Sequence, residues 1–128
     1  VLLLTELVAG GGRAHPAAEM LLDRPEPIQA LTVGLSAVLF APLAEELIFR
    51  GLLLRSLVPL VGKGMALLVS SALFAAVHLS LEGSAAYLLL GAAFGGVYLW
   101  TGNLWAPIVL HMLWNTATMW LMLLLAWS

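Results

Sequence analysis

A chain of 128 residues that is 62% hydrophobic and 9% charged, with a net charge of −2, lies far outside the balance of a soluble globular domain. So small a charge gives no argument for a nucleic-acid partner and makes the lipid bilayer the expected solvent. The lack of cysteine removes disulfides, a thiol nucleophile and thiolate metal ligation, so any metal must be held by imidazole and carboxylate.

The first residues, VLLLTELVAG, carry neither an initiator methionine nor the basic segment and cleavage site of a signal peptide. Residues 1–9 therefore read as a cut helix end of a longer membrane protein. Residues 10–27, GGGRAHPAAEMLLDRPEP, are rich in glycine, proline and charge and read as a surface loop, with His15 a solvated loop histidine. From Ile28 an apolar helical pattern runs to about Leu57, roughly 45 Å at 1.5 Å per residue, which exceeds the bilayer core; Pro42 marks an expected bend. The connection VPLVGKG leads to a short second span, Met65 to Leu79, and the loop LEGS to a third, Ala85 to Trp100. Gly91, Gly95 and Gly96 in that third span predict a packing helix that a neighbour approaches closely. After the turn TGN, Leu104 to Trp127 forms the last span.

The expected fold is thus all-α: one domain over residues 1–128, a polytopic transmembrane bundle of about four full spans over 28–127 plus the truncated N-terminal helix end. It is an integral, multi-pass membrane protein. Trp100 and Trp105 flank one turn, while Tyr87 and Trp127 read as aromatics of the opposite interface; Trp114 and Trp120 read as packing or lipid-facing residues. Arg55 and Lys63 on one side balance Arg13 and Arg24 on the other, so the orientation stays open.

Within APLAEELIFRGLLLR, residues 41–55, two adjacent carboxylates interrupt the apolar pattern. A charge at membrane depth costs at least ~2.5–3.5 kcal/mol, which marks Glu45 and Glu46 as functional candidates. Glu46 and Arg50 stand four apart on one helical face, whereas Glu45 is rotated about 100° away and left free. Counted inward along antiparallel helices, Glu45, His78, Asn115 and His111 reach comparable depths, so side chains from three helices share one chamber. Each has a structural alternative, since intramembrane His and Asn residues also hold helices together at about 0.6 kcal/mol per bond. Such bonding does not call for Glu45 beside a Glu46–Arg50 pair, and the set reads as a proton-handling site.

In order, Glu45-Glu46-x-x-x-Arg50, Phe74-x-x-x-His78 and His111-x-x-x-Asn115 resemble the three motifs of the CPBP intramembrane proteases, which include the CAAX prenyl endopeptidases and bacteriocin-processing members and often carry the label metalloprotease. The resemblance covers roughly residues 28–127. It implies that Glu45 and His78 activate a water, that His111 and Asn115 stabilise the oxyanion, and that Glu46, Arg50 and Phe74 support the site. Peptide hydrolysis needs a base near the water and donors aimed at the developing charge, which these residue types provide. The implied substrate is a membrane-associated protein or peptide, such as a prenylated CAAX protein. Two other readings compete: a catalytically silent scaffold or peptide-binding protein, and a proton-coupled transporter in which Glu45 and His78 form a relay. A zinc or other divalent ion would take Glu45, His78 and His111 as its three protein ligands. That use removes His111 from the oxyanion, so the two mechanisms compete for one histidine, and the metal-free version is the favoured expectation.

Overall fold

The structure, a computed structural model, describes residues 26–80 and 83–126. The cut helix end expected at 1–9, nearly all of the loop expected at 10–27, and Trp127 lie outside these residues. The described chain is helical throughout apart from short turns, as a sequence without water partners for its backbone requires. Among the described residues three helical stretches are long and apolar enough to cross a membrane: Pro27–Val77, Ser84–Thr101 and Trp105–Leu124. This count differs from the four spans expected, because the first stretch, of 51 residues, is two helices joined across a kink at Gly62 and holds the first two expected spans.

That stretch would measure about 77 Å if straight, far beyond a ~30 Å hydrocarbon core. It reverses instead at Gly62, whose φ of 78° and ψ of 163° only glycine adopts readily. The rings of Phe49 and Phe74 lie 5.2 Å apart, centroid to centroid, although 25 residues of straight helix span about 37 Å. Ser70 Oγ likewise donates to the carbonyl of Phe49 at 3.1 Å. The seven-residue connection read from the sequence therefore narrows to one residue, with helix on both sides. The two limbs are α1 (27–61) and α2 (63–77), followed by α3 (Ser84–Thr101) and α4 (Trp105–Ala126). Between α3 and α4, Gly102 takes φ 64° and its N–H closes on Tyr98 O, while Asn103 Oδ1 accepts from Trp105 N–H to start the last helix.

Around Pro42 the helix α1 widens. Residues Ser36–Phe40 and Leu47–Leu54 form π turns on either side of the α-helical Ala41–Glu46. The bend expected at Pro42 is expressed as these wide turns, which bring an extra residue into each turn and re-aim the side chains between them. Large apolar side chains such as Leu60, Leu89 and Trp100 face outward, the arrangement of a protein solvated by lipid. The interior is small: Phe49, Phe74 and Phe94 cluster beneath Leu53, Tyr87 and Leu90.

Candidate active site

Arg50 and Glu46 are both fully buried at the centre of the bundle. Arg50 Nη1 donates to Glu46 Oε1 at 2.8 Å, the pairing that their four-residue spacing predicts. Arg50 Nη2 donates to the carbonyl of Gly91 on α3 at 2.9 Å. Its guanidinium carbon stands 4.7 Å from the Phe74 ring centroid and 5.5 Å from that of Phe94, so aromatic faces replace part of the lost hydration. Close approach of α3 makes this possible. A Cβ on Gly91 would come within 3.0 Å of Ser71 Cα, and one on Gly95 within 2.5 Å of Leu67 Cδ1, whereas Gly96 faces open space. Two of the three glycines therefore do the packing expected of the third span.

His111 reaches the same carboxylate from α4, with Nδ1 2.8 Å from Glu46 Oε1. A carboxylate oxygen only accepts, so Nδ1 carries the hydrogen and Nε2 is the nitrogen left for other partners. The ring also stacks on Phe94 at 4.5 Å and 23°. Its Nε2 stands 3.9 Å from Glu45 Oε2, and that oxygen is buried without a hydrogen bond. Capping the end of α2, His78 has Nδ1 2.7 Å from the carbonyl of Phe74, one turn back, and by the same argument donates to it. That bond gives the F-x-x-x-H spacing a physical use: it fixes the ring tautomer and leaves the Nε2 lone pair available.

A cavity of about 430 Å³ lies among α1, the end of α2, the first half of α3 and the middle of α4. Glu45, His78, His111 and Asn115 all line it, together with Phe74, Tyr87 and Trp114. Ala37, Ala41 and Ala86 keep its walls low. Asn115 is anchored, its Nδ2 donating to Ala37 O at 2.9 Å across 78 residues of sequence.

Several contributors escape a sequence reading. Tyr87, expected only as an interfacial aromatic, stacks on His78 at 3.9 Å and 22°. Trp114, expected to pack or face lipid, lines the cavity. The carbonyls of Gly91 and Ala37 serve as acceptors, a use no side-chain pattern reveals, although the glycine spacing did signal the close approach at Gly91. Among the described residues no group of three or more His, Asp or Glu side chains converges closely enough to hold a metal ion. Glu45, His78 and His111 line one cavity without forming such a set, and His78 and His111, each bonded through Nδ1, keep Nε2 open.

A family model described as type II CAAX prenyl endopeptidase Rce1-like matches residues 27–117. The chain is 31% identical over 109 residues to a Bacillus subtilis (strain 168) protein named "Putative membrane peptidase YdiL", covering 85% of this chain and 44% of that protein. It is also 31% identical over 121 residues to the "Membrane-embedded CAAX protease MroQ" of Staphylococcus aureus (strain USA300), covering 89% of this chain and 47% of that one. The chain thus spans less than half the length of these curated relatives. No solved structure gives a significant match.

Proposed function

This chain, an integral, multi-pass membrane protein, belongs to the type II CAAX prenyl endopeptidase Rce1-like family of CPBP intramembrane proteases, and on that premise we propose that its helices form the site of an intramembrane endopeptidase. One observation carries the reading beyond the family. Glu45, at membrane depth, stands on the wall of a cavity with its Oε2 buried and without a hydrogen bond, 3.9 Å from His111 Nε2. A carboxylate that served only to hold helices together would be paired, since its burial costs several kcal/mol that unmade bonds do not return. The Oε2 of Glu45 instead keeps its hydrogen-bonding capacity for a reactant, which disfavours the silent scaffold.

In the proposed reaction a water in the cavity gives a proton to Glu45 while His78 Nε2 accepts its second hydrogen and holds it in line. The water oxygen adds to the peptide carbonyl. The resulting oxyanion takes hydrogen bonds from His111, protonated at Nε2, and from the Asn115 Nδ2 hydrogen not used by Ala37. Donation from Nε2 while Nδ1 stays on Glu46 requires the doubly protonated ring of His111 in this step. Glu45 then passes its proton to the leaving amine as the carbon–nitrogen bond breaks. Glu46 fixes His111 and Arg50 fixes Glu46, so these two residues orient and do not react. No step passes through a metal. The alanines at 37, 41 and 86 leave room for an extended peptide between α1 and α3. The substrate class is a membrane-associated protein or peptide, of the prenylated CAAX type or similar, in keeping with the names of the family and of the Staphylococcus aureus relative.

The test is cleavage of a library of membrane-associated peptides by the detergent-purified full-length protein and its Glu45→Gln variant. Wild-type cleavage with none in a folded variant is expected, because the substitution removes the base at nearly constant volume. Equal cleavage by both would assign the base elsewhere, and no cleavage by either would return the scaffold to first place.

A further inference from the structure

Pro42 is fully buried in the helix that carries Glu45, three residues before it. The π turn immediately ahead of it, Ser36–Phe40, is bonded five residues back: the N–H of Ala41 donates to Ser36 O. Continued by one residue, that register pairs the N–H of residue 42 with Ala37 O. Proline has no N–H to give. Ala41, the donor that would serve Ala37 O in an α register, is committed to Ser36 O. The Ala37 carbonyl is thereby left without a main-chain donor, and Asn115 Nδ2 donates to it at 2.9 Å.

This contact fixes which way the amide points. A carbonyl oxygen only accepts, so the nitrogen of Asn115, and not its oxygen, faces Ala37. One Nδ2 hydrogen is spent there, and the direction of the second is set by the planarity of the group. Asn115 lines the cavity that also holds Glu45, His78 and His111.

We infer that Pro42 is a positioning residue for Asn115: by withholding a backbone N–H it leaves the Ala37 carbonyl to the Asn115 amide, which aims the second amide hydrogen within the cavity. The inference rests on the proposed role of Asn115 as an oxyanion donor, but the contact itself is testable without activity. Pro42→Ala restores an N–H that competes for Ala37 O. Pro42→Ser supplies the same N–H should the alanine variant fail to purify.

Both measurements use the full-length protein in detergent. Asn115→Leu strands the Ala37 carbonyl and lowers the melting temperature; adding Pro42→Ala supplies a donor and restores it. Absence of that rescue overturns the inference. In turnover, Pro42→Ala is expected to lower kcat about tenfold with KM unchanged and no loss in melting temperature, as for a misaimed donor. Asn115→Ala lowers kcat by roughly 10²–10³, and Pro42→Ala adds nothing in that background. Additive losses would show that Pro42 acts by some route other than Asn115 and would sink the inference. Rescue of melting combined with wild-type kcat in Asn115→Ala would keep the positioning contact and remove the oxyanion role instead.

Discussion

His111 and Glu46, 65 residues apart in sequence, meet at 2.8 Å, and the oxygen they share is the one that Arg50 also binds. One buried carboxylate oxygen thus joins α1 to α4, while the other arm of Arg50 ties α1 to Gly91 on α3. Removing Arg50 as alanine takes away the guanidinium paired with buried Glu46, leaving His111 as its remaining partner, and is expected to destabilise the bundle by ~3–5 kcal/mol. Thermal unfolding in detergent measures this. Arg50→Lys keeps the charge but presents no fork to reach Glu46 and Gly91 O together, so it recovers only part of the loss. Full recovery by lysine would show that the Gly91 bond contributes little.

Tyr87 holds one face of His78, which Phe74 borders at 4.7 Å and whose Nδ1 the Phe74 carbonyl fixes. Ring pairs of this kind are worth about 0.5–1.5 kcal/mol beyond their burial, so Tyr87→Leu is expected to lower kcat up to about tenfold. Tyr87→Phe, which keeps the stack and loses only the hydroxyl, is expected to turn over like the wild type. Steady-state kinetics on both variants separates the cases, since a phenylalanine variant as slow as the leucine one would transfer the role to the hydroxyl.

Gly91 and Gly95 both face α2 but meet different neighbours. The Cβ of an alanine at 91 presses on backbone and Cβ of Ser71, which cannot rotate aside, whereas at 95 it meets the far end of Leu67. Gly91→Ala is therefore expected to cost ~1–3 kcal/mol in melting experiments and Gly95→Ala less. The Gly91 variant also shifts the carbonyl that receives Arg50. The reverse order of stabilities would show that α3 lies in another rotation about its axis.

The metal question is decided by elemental analysis of active protein, followed by dialysis against a strong chelator. The proposed mechanism, in which Glu45 and His78 activate the water directly, expects turnover to survive metal depletion. Stoichiometric zinc whose removal abolishes activity, and whose return restores it, would replace Glu45 as the direct activator of water with a metal-bound one.

The sequence by itself determined the helical membrane class and which residues stand one helical turn apart on one face. Glu46 with Arg50, and Phe74 O with His78, follow from a spacing of four in a helix and need no knowledge of neighbours. It also carried the candidate chamber, because depth along antiparallel helices follows from counting residues. The connection between the first two helices was read as seven residues where one suffices, since a single glycine at positive φ reverses the chain without the longer polar turn that pattern reading looks for. The tertiary structure alone decided which carboxylate His111 takes, that Tyr87 stacks on His78, and that Asn115 finds the Ala37 carbonyl. The physical reason is rotation. In a soluble helix the polar stripe tells which face turns outward, but helices surrounded by lipid are apolar on both faces, so their sequence leaves the angle about each axis to be fixed by packing. Backbone acceptors are more hidden still: the Ala37 carbonyl is open only because the π register and the missing N–H of Pro42 coincide, and neither is a property of the alanine that carries it.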